Sequence, residues 1–240
     1  MYKASFATSN IGVPILSRQK IDEIGEKLVE DFRPDAMIHA QELDVDRFLT
    51  RYLGLDIDYK YLSHCNLYLG MTIFADCNKV PIFNPEEWRA EFISVKANTV
   101  LLDAGLLDER QEHRYRFTGM HEGSHYFLHA DYFANMLNSN YAAGDYIPMV
   151  QCRVDRAKLV NPRSSKRTDL DWIEWQANQL ASSILMPRTM VYKVVRQAER
   201  SRNSVNAGLE AVAAVFNVST DAAYYRMCEL GLRNDGKKRA

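Results

Sequence analysis

No apolar run in this sequence approaches the roughly 18 residues that a membrane-spanning helix needs. No signal core opens it either, because MYKASFATSNIGVPILSRQK lacks a continuous apolar stretch. Its four cysteines, Cys65, Cys77, Cys152 and Cys228, are scattered with no C-x-x-C pair, which argues against a disulfide framework and for a reducing compartment. It has no charge excess: 30 Lys and Arg face 31 Asp and Glu, for a net charge of −1. The whole chain therefore has no electrostatic footprint for nucleic acid. These absences predict a soluble, cytoplasmic protein. What is present is ordinary for a globular chain, with 47% apolar and 25% charged residues. At 240 residues it is long enough to bury a core unaided.

The periodicities predict an α+β protein. LSRQKIDEIGEKLVEDFRP repeats apolar residues at Ile21, Ile24, Leu28 and Phe32 and is stopped by Pro34, the pattern of an amphipathic helix. DVDRFLTRYLG reads as a short second helix ended by Gly54. From there to about residue 103, LDIDYKYL, LYLGMTIFAD, KVPIF and EFISVKANTVLLDAG read as strands of a small, mostly antiparallel sheet. A helix over 110–130 follows, then an irregular stretch over 131–168 containing the basic NPRSSKRTD. Thr168 and Asp171 have capping-box spacing, so another helix begins there and runs to Pro187. The rest reads as helices over 187–200, 205–216 and 219–230, with Ser219 as N-cap and Gly231 as terminator. This order predicts a zincin-like domain over residues 1–190 and a helical, helix-turn-helix-like extension over 191–240 packed on the same unit.

The chemistry concentrates in GMHEGSHYFLHA, residues 119–130. His121 and His125 are four apart, so a helix places both imidazoles on one face, where they can bind one metal ion. Glu122 projects about 100° away, beside that ion. From there it can act as general base towards a water that zinc has acidified. Chance produces H-E-x-x-H in roughly one chain in a hundred of this composition, too often for the motif to decide alone. The competing reading is a partly buried helix whose histidines are satisfied without metal.

A catalytic zinc site also needs a third protein ligand. His129 continues the same face, but ligands on three successive turns of a straight helix span about 12 Å. His129 is therefore expected to be structural or to support a ligand. The longer metzincin pattern is excluded, because Leu128 and Asp131 stand where it needs Gly and His. The better candidate is Glu174 in WIEWQANQLASSILMP. Trp172, Trp175, Leu180, Ile184 and Leu185 would pack that helix into the core, and a carboxylate there is costly unless paired or metal-bound. An exposed acid at a helix N-terminus is the alternative, and spacing leaves both open.

RFTGMHEGSHYFLH followed by EWQANQLASSILMP resembles the signature pair of the ImmA/IrrE family of zinc metallo-endopeptidases, and the N-terminal texture is similar to longer members. The resemblance covers about residues 15 to 230. It implies that His121, His125 and Glu174 hold one Zn²⁺ and that Glu122 is the general base. It also implies a cytoplasmic endopeptidase making a limited cut in a helix-turn-helix repressor of a mobile element or stress response. Two departures stand out: Gly123-Ser124 replaces the usual Leu-Gly, placing a flexible residue beside the ligands, and the gap from His125 to Glu174 is long.

Other features carry other readings. LEAVAAVFNVSTDAAYYRMCELG resembles a helix-turn-helix, and residues 191–240 hold nine Lys and Arg against five Asp and Glu. DNA binding through those helices is one alternative; completion of the fold is the plainer one. A zinc-holding module that sequesters the repressor without cutting it is another. Cys152 can serve as a removable fourth ligand. Tyr115, Arg116 and Tyr126 are candidates to stabilise an oxyanion. ANTVLLDA is either an edge strand for substrate pairing or an interior strand.

Overall fold

A computed structural model describes residues 1–140, 149–153, 168–201 and 206–233, side chains excepted at 137–140, 149–153 and 201. The helices are α1 (Arg18–Phe32), α2 (Val45–Arg47, continuing as a π turn over Phe48–Tyr52), α3 (Glu112–Asn140), α4 (Asp169–Leu185), α5 (Arg188–Ser201), α6 (Ala207–Phe216) and α7 (Thr220–Glu229). The strands are β1 (Asp56–Lys60), β2 (Tyr68–Ile73), β3 (Cys77–Asn84), β4 (Arg89–Val95), β5 (Thr99–Asp103) and β6 (Met149–Arg153). This is the α+β order the periodicities predict. No helix among the described residues is long and apolar enough to cross a membrane. Contacts divide the chain into two units: Ser5–Ser17 with Val45–Asn178, and Met1–Ala4 with Arg18–Asp44 and Gln179–Ala240.

The first of these units is built on a four-stranded sheet of order β1-β5-β2-β6, with β3 and β4 as a separate antiparallel hairpin. β1 runs parallel to β5, while the β2–β5 and β2–β6 pairings are antiparallel. Alternation along β2 sorts its side chains between two faces. Met71 and Ile73 join Leu62, Val80 and Leu101 in a buried cluster with Ile82, Ile93 and Val95 of the hairpin. Gly70 and Thr72 turn the other way, onto α3. β5 lies between β1 and β2, so ANTVLLDA supplies an interior strand and not an edge.

Three expectations are corrected. EFISVKANTVLLDAG is two strands, because Asn98 takes a left-handed φ of 61° and turns the chain between β4 and β5. The helix carrying the motif, α3, ends ten residues beyond the predicted 110–130. Tyr132, Phe133 and Met136 continue its apolar spacing and pack with Val13, Phe74 and Ile173, and that burial stabilises further turns. Part of the stretch read as irregular is therefore helical, and part is β6. Its remainder, including NPRSSKRTD up to residue 167, lies outside the described residues. Trp172 does not pack α4 into the core: it is exposed and meets the half-buried Trp175 edge-on, whereas Ile173, Leu180, Ile184 and Leu185 are buried.

The second unit is helical. α1 buries Ile21, Ile24 and Leu28 as its periodicity predicts. The α6–α7 turn passes through Asn217 at φ 49°, and the Ser219 side chain caps α7 by accepting from the Ala222 N–H. Arg226, the one basic residue of α7, is fully buried, with Nη1 2.8 Å from Asp22 Oδ1. Ser183 donates to the same Asp22 oxygen, and Arg226 Nε donates to the Met186 carbonyl.

Candidate metal centre

Both histidines of the motif lie on α3, one turn apart. Their Nε2 atoms converge to 2.9 Å, and both rings are buried. α4 brings Glu174 to them. Its Oε2 lies 3.4 Å from His121 Nε2 and its Oε1 3.4 Å from His125 Nε2. Donor atoms of all three residues fall within 4.8 Å of one another. Burial opposes charge on Glu174, but the two imidazoles facing it outweigh that opposition and hold the carboxyl well below the usual range. Of the two readings of Glu174, the structure shows the one facing the histidines.

α4 is placed for this by its start. The Thr168 N–H and hydroxyl both meet Asp171 Oδ2, and the Asp171 N–H returns to Thr168 Oγ1, the reciprocal capping box that the spacing predicts. One turn on, Glu174 sits at the rim, about one third exposed. Gln176 is buried, and Asn178 Oδ1 lies 3.1 Å from His121 Nδ1.

Glu122 occupies a different environment from Glu174. It is fully buried, and its Oε2 accepts a 2.5 Å hydrogen bond from the Thr72 hydroxyl on β2. Its Oε1 is buried with no hydrogen-bond partner among the described residues. Burial pushes its carboxyl up to about 7, against the lowering pull of His121 and of the Thr72 hydroxyl. The close approach of β2 to this carboxylate requires Gly70. A Cβ there would stand 2.6 Å from Glu122 Oε1 and 2.8 Å from Thr118 Cγ2.

Gly123 has a different role from the flexibility expected of it. A Cβ there would collide with Leu49 and stand 3.2 Å from Leu53, so the glycine lets α3 press against the π turn. His129 sits beyond the triad. Its Nδ1 is 3.2 Å from His125 Nδ1 and its Nε2 3.0 Å from Gln176 Oε1, while burial pushes its pKa down to about 3. It contacts His125 and is not among the three residues whose donor atoms converge. Tyr115 is committed elsewhere, donating to Asp46 at 2.5 Å and lying 2.9 Å from the Tyr59 hydroxyl. Burial and those bonds hold its phenol well above the ordinary range. Arg116 is buried and Tyr126 half-buried. The Cys152 side chain lies outside the described residues.

Gly70, Thr72, Gln176 and Asn178 were not singled out from the sequence. A glycine inside LYLGMTIFAD is the one available signal, since an interior strand glycine often marks a close backbone approach.

The arrangement fits a metal ion on its donor chemistry. Two imidazole nitrogens and a carboxylate suit zinc, and acceptor groups crowded this closely are stabilised by a cation among them. The geometry of His121, Glu122 and His125 with the distal Glu174 matches an H-E-x-x-H-plus-glutamate zinc-protease active site. Residues 155–227, which contain Glu174 but not the histidines, match the family of the IrrE N-terminal-like domain. No curated protein matches the chain significantly. The matched segment, under a third of the chain, together with the two-part motif and the geometry of the triad makes the chain similar to IrrE-like peptidase domains.

Proposed function

We propose that this chain is a zinc-dependent endopeptidase, acting in the cytoplasm, that makes a limited cut in a helix-turn-helix transcription repressor. His121, His125 and Glu174 would hold one Zn²⁺ per chain, and Glu122 is the general base. The observation that carries the reading is the pairing of the triad with a buried carboxylate whose Oε1 has no partner among the described residues. Zinc held there supplies Lewis acidity, acidifying water and polarising a peptide carbonyl.

The chain's own residues supply the proton handling. Thr72 holds Oε2 of Glu122, which leaves Oε1 to take a proton from the attacking water and pass it to the leaving amine nitrogen. A carboxyl raised towards neutrality suits both halves of that task, since a base near the working pH can accept and return a proton. Gly70 keeps the backbone of β2 close to that carboxylate without a side chain intervening. The substrate class rests on the ImmA/IrrE resemblance. The rival DNA-binding reading gains no support from α7, whose arginine is buried and ion-paired.

Purified helix-turn-helix repressors, incubated with the zinc-loaded protein and analysed by mass spectrometry, test the proposal. One defined cleavage is expected, slowed about 10²–10⁴-fold by Glu122→Gln with zinc retained. Repressor bound but left intact by both proteins would favour sequestration over proteolysis.

A further inference from the structure

Behind His125 a hydrogen-bonded chain leaves the triad and ends on the backbone of the N-terminal segment. Gln176 Nε2 lies 2.7 Å from the Pro14 carbonyl oxygen, Gln176 Oε1 lies 3.0 Å from His129 Nε2, and His129 Nδ1 lies 3.2 Å from His125 Nδ1. Both histidines and the glutamine are buried, at 1% exposure or less, so water does not compete for these bonds.

The direction of every bond follows from its last acceptor. A carbonyl oxygen only accepts, so Gln176 must turn its NH₂ to Pro14 and its oxygen to His129. That oxygen also only accepts, so His129 carries its proton on Nε2. A neutral imidazole has one N–H, which leaves His129 Nδ1 as a lone pair facing His125. His125 must then donate from Nδ1, and its Nε2 is left bare, 3.4 Å from Glu174. Beside it, Asn178 presents Oδ1 to His121 Nδ1, which calls for a proton on that nitrogen in a single step.

We propose that His129 and Gln176 are positioning residues that hold His125 as its Nδ1–H tautomer, with the Pro14 carbonyl as anchor, so that Nε2 is presented as a metal ligand. The proposal rests on the zinc-peptidase reading. It gives a role to the third histidine of the motif and to the Gln that stands between Glu174 and Asn178. It also ties the short N-terminal pairing of Thr8 with Pro14 to the metal centre.

The test begins with the tautomer of His125 in full-length metal-free protein, read from long-range ¹H–¹⁵N correlations at about pH 8, where unperturbed imidazoles are neutral. The Nδ1–H form is expected; a predominant Nε2–H form overturns the proposal. Zinc affinity is then measured by competition with a chromophoric chelator. His129→Phe is expected to weaken zinc binding about 10–100-fold. His129→Asn, whose Oδ1 can take over as acceptor for the His125 N–H, is expected to recover most of that loss. Unchanged affinity in His129→Phe, or equal loss in both variants, overturns the proposal in favour of a purely packing role. If His129→Phe does not fold, the wild-type tautomer still decides. If the wild type takes up no zinc, the peptidase reading fails, while the tautomer in the same sample reports separately on the relay.

Discussion

Two buried polar clusters in this molecule are put together in opposite ways. In the helical unit, Arg226 and Asp22 bring a cation and an anion together, and Ser183 and the Met186 carbonyl add further polar contacts. In the sheet-bearing unit, His121, His125 and Glu174 bring potential ligand atoms together, beside Glu122 with an oxygen unpaired among the described residues. The first cluster neutralises its own charge, although Nη1 and Nη2 of Arg226 make no hydrogen bond among the described residues, so it can serve as structure. The second gathers ligand atoms that a metal cation would compensate. Burial alone therefore does not mark a functional site; a buried gathering of ligand atoms without a cation of its own does.

The sharpest way to break this comparison is to remove a ligand from the uncompensated cluster. His125→Ala should abolish both zinc uptake and peptidase activity. In the wild type, zinc at a hundred times its dissociation constant should stabilise the fold by about 2.7 kcal/mol, a rise of roughly 5–10 °C in Tm for a chain of this size. The variant should show no such rise in differential scanning calorimetry. A variant that still responded to zinc would place the ion elsewhere.

The compensated cluster should respond in stability and not in metal binding. Arg226→Met leaves Asp22 buried with only the Ser183 hydroxyl, so denaturant unfolding should show a loss of about 3–5 kcal/mol, with zinc content unchanged. A loss under about 1 kcal/mol would mean that the pair behaves like a surface ion pair and that the contrast between the clusters is overdrawn.

The smallest expected effect sharpens the comparison from the catalytic side. Gly70→Ala places a methyl where Glu122 Oε1 and Thr118 Cγ2 now stand, displacing the base without touching a ligand. Peptidase rate should fall about 100-fold, the scale for misplacing a catalytic group by about an ångström, with zinc still bound. Zinc lost along with activity would show that the glycine supports the triad and not the base.

Much of the candidate site was legible because its parts are local. Helix geometry alone puts His121 and His125 on one face and Glu122 beside them, and the same geometry argues against His129 as a third ligand. The capping box at Thr168 and Asp171, the Ser219 cap and the Gly231 terminator are likewise decided within a few residues. Where the sequence misled, a contact distant along the chain intervened. α3 outruns its predicted end because Val13 and Ile173 cover Tyr132 and Phe133. Trp172 is exposed although its composition suits a core.

The sequence by itself determined the α+β order, the helix limits set by capping residues, and the i, i+4 histidine pair with its adjacent glutamate. All of these depend on backbone periodicity and on hydrogen bonds between near neighbours. Tertiary structure decided what depends on distant meetings. It brought Glu174 to the histidines across 49 positions of chain, set Gly70 and Thr72 against Glu122, and linked His129 through Gln176 to Pro14. The physical reason is that a side chain's role as ligand, base or support is set by which donors and acceptors share its buried surroundings. Spacing along the chain limits those meetings only within a turn or two of helix.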